Sequence, residues 1–381
     1  MFALGIERIK EYPRVFQGKR LGMILSPSGT DRQLRLSAEA LGERADLRAL
    51  YGPEHGVRGA AAAGEIVEGV ERDRRTGLPV YSLYRKDSKR LTEDMVRGVD
   101  ALVYDIQDLG LRFYTYVSTL LYALEDCARF DKELIVLDRP NPLGGLRVEG
   151  GLLQKGFESF VGSYDMPVRY GLTAGELARM ANDERKTGCR LTVIPMQGWR
   201  REMLFPQLGY PFLMPSPAIP HFSNAMHYAG TCLFEGTNVS EGRGTADPFA
   251  LIGAPYIDAE ALCDAARARN WPGLLVTEAH FTPTASKYAG DMCHGVHLHL
   301  TDARAYEAVR VAVELMDLIR RMYPESFAFN PPAGEEGRPM IDLLAGGSEL
   351  REGVPVDVLL DQWQRQSEAF ALRARPYHLY Q

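Results

Sequence analysis

Long apolar runs and paired cysteines are missing from this sequence of 381 residues. No stretch approaches the roughly 18 apolar residues of a transmembrane helix, so we predict no membrane span. The five cysteines include no CxxC pair and are odd in number, which argues against a disulfide framework and a thiolate zinc site. The amino terminus also lacks the charged start and long apolar core of an export leader. We therefore expect a cytoplasmic protein, or an exported one whose leader has been removed.

An excess of positive charge is missing too. The net charge is −6, from 44 basic and 50 acidic residues, which argues against nucleic-acid binding. No GxGxxG motif follows the first apolar run and no HExxH motif occurs, so we predict neither a dinucleotide nor another cofactor. A composition of 45% apolar and 25% charged residues is typical of a globular protein with one large or two medium domains.

Four short apolar runs in the first part of the chain each end at polar residues. They cover residues 21–25, 47–51, 101–104 and 134–137, and helical patterns lie between them. Strands separated by helices indicate a parallel sheet, whose ligands bind beyond the carboxyl ends of the strands. We predict an α/β domain over residues 1–225 and, after a proline-rich segment, a smaller α+β domain over residues 226–381.

The polar residues after these runs include several acid–base groups. If the runs are neighbouring parallel strands, one edge of the sheet gathers Glu54, His55, Asp105, Asp108 and Asp138. A carboxyl group in a partly dry cleft can act as a general acid near neutral pH. Glu54, which lies in a turn between glycines, is therefore a candidate acid. The alternative is that its carboxylate caps a helix.

The segment from 105 to 116 has the composition of a sugar-binding site. Besides two aspartates it holds Gln107, Arg112, Tyr114 and Tyr116, directly after an apolar strand. Aromatic rings pack on the C–H face of a sugar, while carboxylates and amides bind its hydroxyl groups. The alternative is structural, with an aspartate–arginine pair and tyrosines that pack in the core.

Prolines follow the fourth run and hold Arg139 and Asn141 at the strand end. Arg139 could bind a carboxylate through two parallel hydrogen bonds, although an ordinary polar turn would have the same composition. His55 and the aspartates 105, 108 and 138 could instead bind a metal ion. His294 with His297, or His297 with His299, are weaker metal candidates, and His297 and His299 would share one face of a strand.

A glycine-rich loop over residues 235–245 carries a second group of candidates. They are Glu235, Asn238, Ser240, Glu241 and Arg243. The loop lacks the Lys-Ser/Thr of a phosphate loop, so we predict a polar loop that reaches into a cleft. A flexible surface loop is the alternative, but the apolar, proline-bounded segment that follows should hold it in place.

These segments together resemble a bacterial family, once catalogued as a domain of unknown function, of exo-β-N-acetylmuramidases of peptidoglycan turnover. The matching blocks occur in order at residues 52–56 (GPEHG), 76–84 (TGLPVYSLY), 104–108 (YDIQD), 112–116 (RFYTY), 138–142 (DRPNP) and 234–248. Ser26, Ala218 and Ala229 depart from the usual Asn, Asn and Pro of the family, which bears on sugar or aglycone preference.

The resemblance implies a Rossmann-like domain, a smaller second domain and an active-site cleft between them. It also implies removal of terminal N-acetylmuramic acid from peptidoglycan fragments, and it places the catalytic glutamate at Glu54. The expected partners are therefore peptidoglycan-derived amino sugars or muropeptides.

The leading hypothesis is a glycoside hydrolase in which Glu54 protonates the leaving oxygen and His55 orients it. The second carboxylate would be Asp105, Asp108, Glu235 or Glu241. The predicted substrate-binding residues are Gln107, Arg112, Tyr114, Tyr116, Asp138, Arg139, Asn141, Asn238, Ser240 and Arg243, with Arg139 or Arg243 on the lactyl carboxylate.

Carboxylate separations of about 5–5.5 Å indicate retention and about 6.5–9.5 Å indicate inversion, and assistance by the N-acetyl group is a third route. Two alternatives remain open at this stage: a metal-dependent hydrolase and a non-catalytic muropeptide-binding protein.

Overall fold

Strands and helices alternate through the first half of the chain, as the apolar runs predict. The computed structural model describes residues 2–59, 64–66, 69–332, 334 and 337–381. The strands are β1 (Arg20–Leu25), β2 (Asp46–Gly52), β3 (Val70–Arg72), β4 (Pro79–Ser82), β5 (Ala101–Asp105), β6 (Glu133–Leu137), β7 (Arg190–Ile194), β8 (Leu251–Ala254), β9 (Leu274–Phe281) and β10 (Cys293–Leu300).

The helices connect and cover these strands. They are α1 (Pro13–Phe16), α2 (Ser37–Gly42), α3 (Glu93–Val96), α4 (Tyr116–Arg129), α5 (Ala174–Glu184), α6 (Phe222–Thr231), α7 (Ala259–Arg267), α8 (Ala308–Met322), α9 (Met340–Ala345), α10 (Glu349–Glu352) and α11 (Val356–Ala374). Short 3₁₀ helices lie at Gly5–Glu11, Phe205–Leu208, Cys232–Gly236 and Arg375–Tyr377. None of the helices in the described ranges is long and apolar enough to cross a membrane.

A seven-stranded sheet has the order β3-β4-β2-β1-β5-β6-β7. Six of its strands are parallel, and β3 pairs antiparallel with β4 at one edge. Without β3, this is the 3-2-1-4-5-6 order of a Rossmann sheet, in which ligands bind where the order reverses. The prediction of a Rossmann-like α/β fold is confirmed, and the reversal lies between β1 and β5.

The central strand β1 is buried along almost its whole length, as expected of a parallel strand covered on both faces. Its Gly22 allows close packing, because a Cβ there would lie 2.5 Å from the Tyr51 ring and 2.8 Å from Leu102. The Tyr51 hydroxyl donates to the Met95 carbonyl at 2.6 Å. Side-chain packing therefore fixes β1, β2 and β5 relative to one another.

Helix α5 begins with the predicted capping box. The Thr173 hydroxyl accepts from the Glu176 amide, and the Glu176 carboxylate accepts from the Thr173 amide. The helix ends at Glu184 rather than near Gly188, because Lys186 already adopts a left-handed φ of 52° before the turn into β7.

The chain divides into two compact units. The first unit comprises Met1–Arg147, Gly171–Pro220 and Ala371–Gln381, and the second comprises Val148–Tyr170 and His221–Phe370. Compared with the predicted division at residue 225, residues 148–170 and 221–225 belong to the second unit and residues 371–381 to the first. The segments 148–170 and 371–381 have no long periodic element of their own, so order along the chain assigned each to the domain of its sequence neighbours.

The second unit contains a small antiparallel sheet with the order β8-β10-β9. The predicted strand over residues 274–281 is present as β9, and β10 is two residues longer at its start than the predicted 295–300. Strand β8 was expected only as an apolar segment. Helix α8 begins at Ala308 instead of residue 303 and buries Val309, Val313 and Met316. The prediction of a smaller α+β domain agrees with this architecture.

Candidate active site

Glu54 lies in a tight turn directly after β2. The amide of Gly56 donates to the Pro53 carbonyl at 2.9 Å, and both His55 and Gly56 have left-handed φ angles, of 71° and 74°. Gly52 is required here, because a Cβ would lie 3.0 Å from the Gly56 Cα. The turn leaves Glu54 partly exposed at the carboxyl edge of the sheet.

Two donors hold the Glu54 carboxylate. The Thr115 hydroxyl donates to one oxygen at 2.6 Å, and the Gly64 amide donates to the other at 2.9 Å. Thr115 immediately precedes α4, so the start of a long buried helix positions its hydroxyl. A hydroxyl can donate to a carboxylate and accept from a carboxylic acid. The contact can therefore orient Glu54 in both protonation states.

Tyr84 and Lys89 share the electrostatic environment of Glu54. The Lys89 ammonium lies 3.6 Å from the centre of the Tyr84 ring and donates to the Arg85 carbonyl at 2.6 Å. Burial and the charge of Glu54 raise the pKa of Tyr84. Burial lowers the pKa of Lys89, and Glu54 opposes that shift. Tyr84 is only partly buried, so an aromatic ring and a cation lie within the electrostatic range of the partly exposed Glu54 carboxylate.

Tyr114 and Tyr116 lie in the interior, although both were predicted to line the sugar site. Their rings meet edge to face at 4.8 Å, and both side chains are buried. The Tyr116 hydroxyl donates to the Pro215 carbonyl at 3.0 Å and approaches the Glu54 carbonyl at 3.4 Å. Burial and the charge of Glu54 raise the pKa of Tyr116. This placement favours support of the Glu54 turn over contact with a sugar.

His55 is buried, and its Nε2 lies 3.2 Å from the Ser216 hydroxyl. The predicted role of orienting Glu54 therefore rests on the shared turn. Ser216 precedes Pro217 and Ala218, the segment in which this sequence departs from the family pattern.

Asp105 and Arg139 form a buried, bidentate ion pair. The two N–O distances are 2.5 and 2.9 Å, and Arg139 also donates to the Thr30 carbonyl at 2.7 Å. Burial works against the charge of Arg139, but Asp105 raises its pKa. A pair with these internal partners matches the structural alternative for Asp105, and its arginine is Arg139.

Asp138 is fully buried. Besides the amide of the neighbouring Arg139, at 3.1 Å, it accepts three side-chain and amide donors from other parts of the first unit. They are the Thr173 hydroxyl at 2.7 Å, the Gly175 amide at 2.8 Å and the Tyr380 hydroxyl at 2.5 Å. Burial raises the pKa of Asp138 to about 7, and these donors oppose the shift. Asp138 therefore connects β6 to the start of α5 and to the carboxyl-terminal segment, which favours a structural role.

The remaining predicted residues of the first unit form an internal network. Gln107 donates to the carbonyls of Asp108 and Pro140, both at 2.8 Å, and Asp108 accepts from the Gly110 amide at 2.8 Å. Asn141 donates to the Leu172 carbonyl at 3.0 Å, and Arg112 is fully buried. Of the predicted carboxylates in this unit, Glu54 alone is partly exposed.

In the second unit, the loop over residues 235–245 is held in place by many contacts. Lys287 donates to the carbonyls of Phe234 and Val239, at 2.6 and 2.9 Å, and to the Glu241 carboxylate at 2.9 Å. Asn238 donates to the Ser326 carbonyl at 2.7 Å, and the Ser240 backbone pairs with Gly253. These contacts favour an ordered loop over the flexible alternative.

Glu235 and Arg243 form a partly exposed pair in this loop. Arg243 donates to Glu235 at 2.7 Å and lies 3.5 Å from the buried Glu241, with its guanidinium over the Phe249 ring. The side chains of Glu235 and Arg243 are 27% and 24% exposed. Burial raises the pKa of Glu235, and Arg243 opposes the shift. Glu235 is thus the loop carboxylate best placed to exchange a proton.

The metal-dependent alternative requires a cluster of metal ligands, and the described part of the chain contains none. No three histidine, cysteine, aspartate or glutamate side chains there converge as metal ligands. Of the proposed ligands, Asp105 is paired with Arg139, and Asp138 accepts four hydrogen bonds. His297 and His299 do share a face, with ring centres 4.1 Å apart, and His297 pairs with Asp247 at 2.8 Å.

Sequence reasoning missed three residues around Glu54. Thr115 lay inside the matched RFYTY block, but a threonine between aromatic residues gave no chemical signal. Tyr84 ended another matched block, and Lys89 follows it in a charged loop. Only the fold brings these side chains to the turn after β2.

The fold and the site define a Rossmann-like α/β protein with an oriented glutamate at the carboxyl edge of its sheet. Family models described as exo-β-N-acetylmuramidase NamZ, N-terminal and C-terminal, match residues 21–223 and 226–380. The chain belongs to the exo-β-N-acetylmuramidase NamZ family.

Individual relatives agree with this assignment. The peptidoglycan β-N-acetylmuramidase NamZ of Bacillus subtilis (strain 168) is 41% identical over 378 residues, which cover 98% of this chain and 89% of that protein. Two crystal structures of DUF1343 family proteins from Bacteroides fragilis NCTC 9343 are similar, with TM-scores of 0.92 and 0.76 at 37% and 28% identity. Each comparison covers 100% of this chain and 99% of the other.

Proposed function

We propose that this chain is an exo-acting glycoside hydrolase that removes terminal β-N-acetylmuramic acid from peptidoglycan fragments. Membership of the family and the 41% identical Bacillus subtilis relative support the activity. The observation in this molecule that carries the proposal is the partly exposed Glu54 carboxylate, fixed by Thr115 and Gly64.

In the proposed mechanism, Glu54 donates a proton to the glycosidic oxygen as the bond to the anomeric carbon breaks. Because hydrogen bonds already fix the orientation of Glu54, it loses less orientational freedom when the transition state forms. The half-exposed Tyr84 ring offers a surface on which the C–H face of a sugar can pack. Proton donation of this kind accelerates a reaction by about 10²–10⁴-fold.

Glu235 is the first residue to test as the second carboxylate. It is partly exposed and burial raises its pKa, whereas Asp105, Asp108 and Glu241 are buried. Arg243 already binds a carboxylate, that of Glu235, and the lactyl carboxylate of muramic acid has the same chemistry.

The test is Glu54→Gln, assayed by the release of N-acetylmuramic acid from a disaccharide that carries it at its non-reducing end, because the sugar oxygen that leaves needs a proton. The amide keeps the size of the side chain but has no proton to donate as an acid, so we expect kcat to fall at least about 100-fold. Glu93→Gln, at an exposed position in α3, is the matched control and should retain wild-type activity. A Glu54→Gln enzyme within a few-fold of wild type would contradict the proposal.

A further inference from the structure

A cleft of about 540 Å³ lies in the second unit, apart from the residues assigned to the glycosidase mechanism. The end of α8, the segment 327–329 and the connection from α10 to α11 line it. Its charged and apolar walls are formed by Arg320, Arg321, Arg351, Phe327, Phe329 and Val354. The volume is within the range of about 300–1,000 Å³ that is usual for sites of small ligands.

The cleft lining is positively charged. It contains three arginines and one carboxylate, that of Asp317. Arg321 pairs with Asp317 at 2.9 Å, and Arg351 forms a bidentate pair with the buried Asp342, with both distances 2.8 Å. Two of the three guanidinium groups are thus neutralised within the second unit.

Arg320 is the third arginine, and no carboxylate or carbonyl oxygen of the described chain pairs with it. Its guanidinium lies 6.0 Å from the centre of the Phe329 ring. Gly353 permits its position, because a Cβ there would lie 3.0 Å from a guanidinium nitrogen of Arg320. A partly buried guanidinium that lies beside an aromatic ring, with no carboxylate of the described chain paired to it, can accept an anion.

The walls beside Arg320 are apolar. Phe327 and Phe329 meet edge to face at 5.1 Å, and Val354 and Pro355 line the cleft with them. A guanidinium binds a carboxylate through two parallel hydrogen bonds, and apolar walls accommodate a small aliphatic group. A carboxylate next to a small apolar side chain is the chemistry of a peptide carboxyl terminus.

We propose that this cleft binds the free carboxyl terminus of a short peptide, with its carboxylate on Arg320 and its last side chain against Phe327 and Phe329. The proposal does not depend on the glycosidase function, because none of these residues takes part in it.

The full-length protein is titrated by calorimetry with N-acetyl-alanyl-alanine, and with its carboxyl-terminal amide as the uncharged probe. We expect the acid to saturate the protein below about 10 mM, since one charge-assisted pair supports only weak affinity. The amide should bind at least about 10-fold more weakly, and added salt should weaken binding of the acid.

Arg320→Gln should reduce binding of the acid at least about 10-fold, and Arg320→Lys should retain part of it, because lysine keeps the charge without the planar fork. Arg365→Gln, at an exposed position in α11, is the matched control and should bind as wild type does. Absence of saturable binding, equal binding of acid and amide, or wild-type binding by Arg320→Gln would each overturn the proposal.

Discussion

The hydroxyl of Thr115 donates a 2.6 Å hydrogen bond to the carboxylate of Glu54. This contact joins the start of α4 to the turn after β2, two elements that lie 61 residues apart in the sequence. Glu54 thereby has a defined orientation although it lies in a partly exposed turn. The proposed acid depends on a second residue for its position.

Replacement of Thr115 should therefore lower activity through kcat. Thr115→Val keeps the shape of the side chain but removes the hydroxyl, and a charge-assisted hydrogen bond contributes about 1.5–3 kcal/mol. We expect kcat to fall about 10- to 100-fold with KM changed by less than a few-fold, as measured by steady-state kinetics.

Thr115→Ser is the matched control, because it retains the hydroxyl and should remain within a few-fold of wild type. Equal losses in the valine and serine variants, or a loss confined to KM, would argue against a positioning role for Thr115.

Glu235 and Glu241 should respond differently to neutralisation. If Glu235 is the second carboxylate, Glu235→Gln lowers kcat by about 100-fold or more. Its pair with Arg243 is partly exposed, so the free energy of unfolding should fall by less than about 1 kcal/mol. Glu241→Gln removes the carboxylate partner of Lys287 and should mainly lower stability. Kinetics and urea denaturation of both variants separate a catalytic role from a stabilising one. A Glu235→Gln enzyme with full activity would exclude Glu235 as the second carboxylate.

The buried Asp105–Arg139 pair should matter for stability. Asp105→Asn leaves the Arg139 guanidinium buried without its counter-charge, which costs about 3–5 kcal/mol. The double variant Asp105→Leu with Arg139→Leu removes both charges and should be more stable than Asp105→Asn. Urea denaturation measures both. A single variant that loses less than about 1 kcal/mol would indicate that the pair contributes little to the fold.

Asp138 makes stability depend on pH. Burial raises its pKa to about 7 in the folded protein, against about 3.9 in an unfolded chain. At a pH between these two pKa values, Asp138 holds its proton in the folded state but has lost it in the unfolded state. The contribution of Asp138 to stability is therefore largest below about pH 4, falls as the pH rises and levels off above about pH 7.

Tyr380→Phe tests the raised pKa of Asp138. Above pH 7 the Asp138 carboxylate is charged and loses one of its donors in this variant. We expect the variant to lose about 1–3 kcal/mol at pH 8 and clearly less at pH 5, measured by urea denaturation. Tyr377→Phe removes a similar bond to the exposed Asp183 and should lose less than about 1 kcal/mol at both values. Equal losses of Tyr380→Phe at pH 5 and pH 8 would contradict the raised pKa.

Local patterns predicted the elements of the fold well. Apolar runs located β1, β2, β5 and β6, and the Thr173–Glu176 box located the start of α5, because each depends on residues close together in sequence. The residues that follow these strands were also expected at one edge of a sheet, which the parallel order confirms.

The partners of the polar residues could not be predicted in the same way. Asp105 pairs with a residue 34 positions away, and Asp138 bonds with Tyr380, 242 positions away. Composition indicates that such groups gather at the sheet edge, but it does not distinguish a buried pair from an exposed acid. Packing makes that distinction: of the carboxylates predicted for the site in the first unit, Asp105, Asp108 and Asp138 are buried and Glu54 is partly exposed.

The most direct test of Glu54 as the general acid compares the activity of Glu54→Gln on two substrates with different leaving groups. An aryl leaving group departs with little protonation, whereas the sugar oxygen of a natural disaccharide needs a proton from the acid. If Glu54 is the general acid, kcat/KM of Glu54→Gln falls at least about 10-fold more on a disaccharide with terminal N-acetylmuramic acid than on a 4-nitrophenyl N-acetylmuraminide. Equal losses on the two substrates would contradict that role.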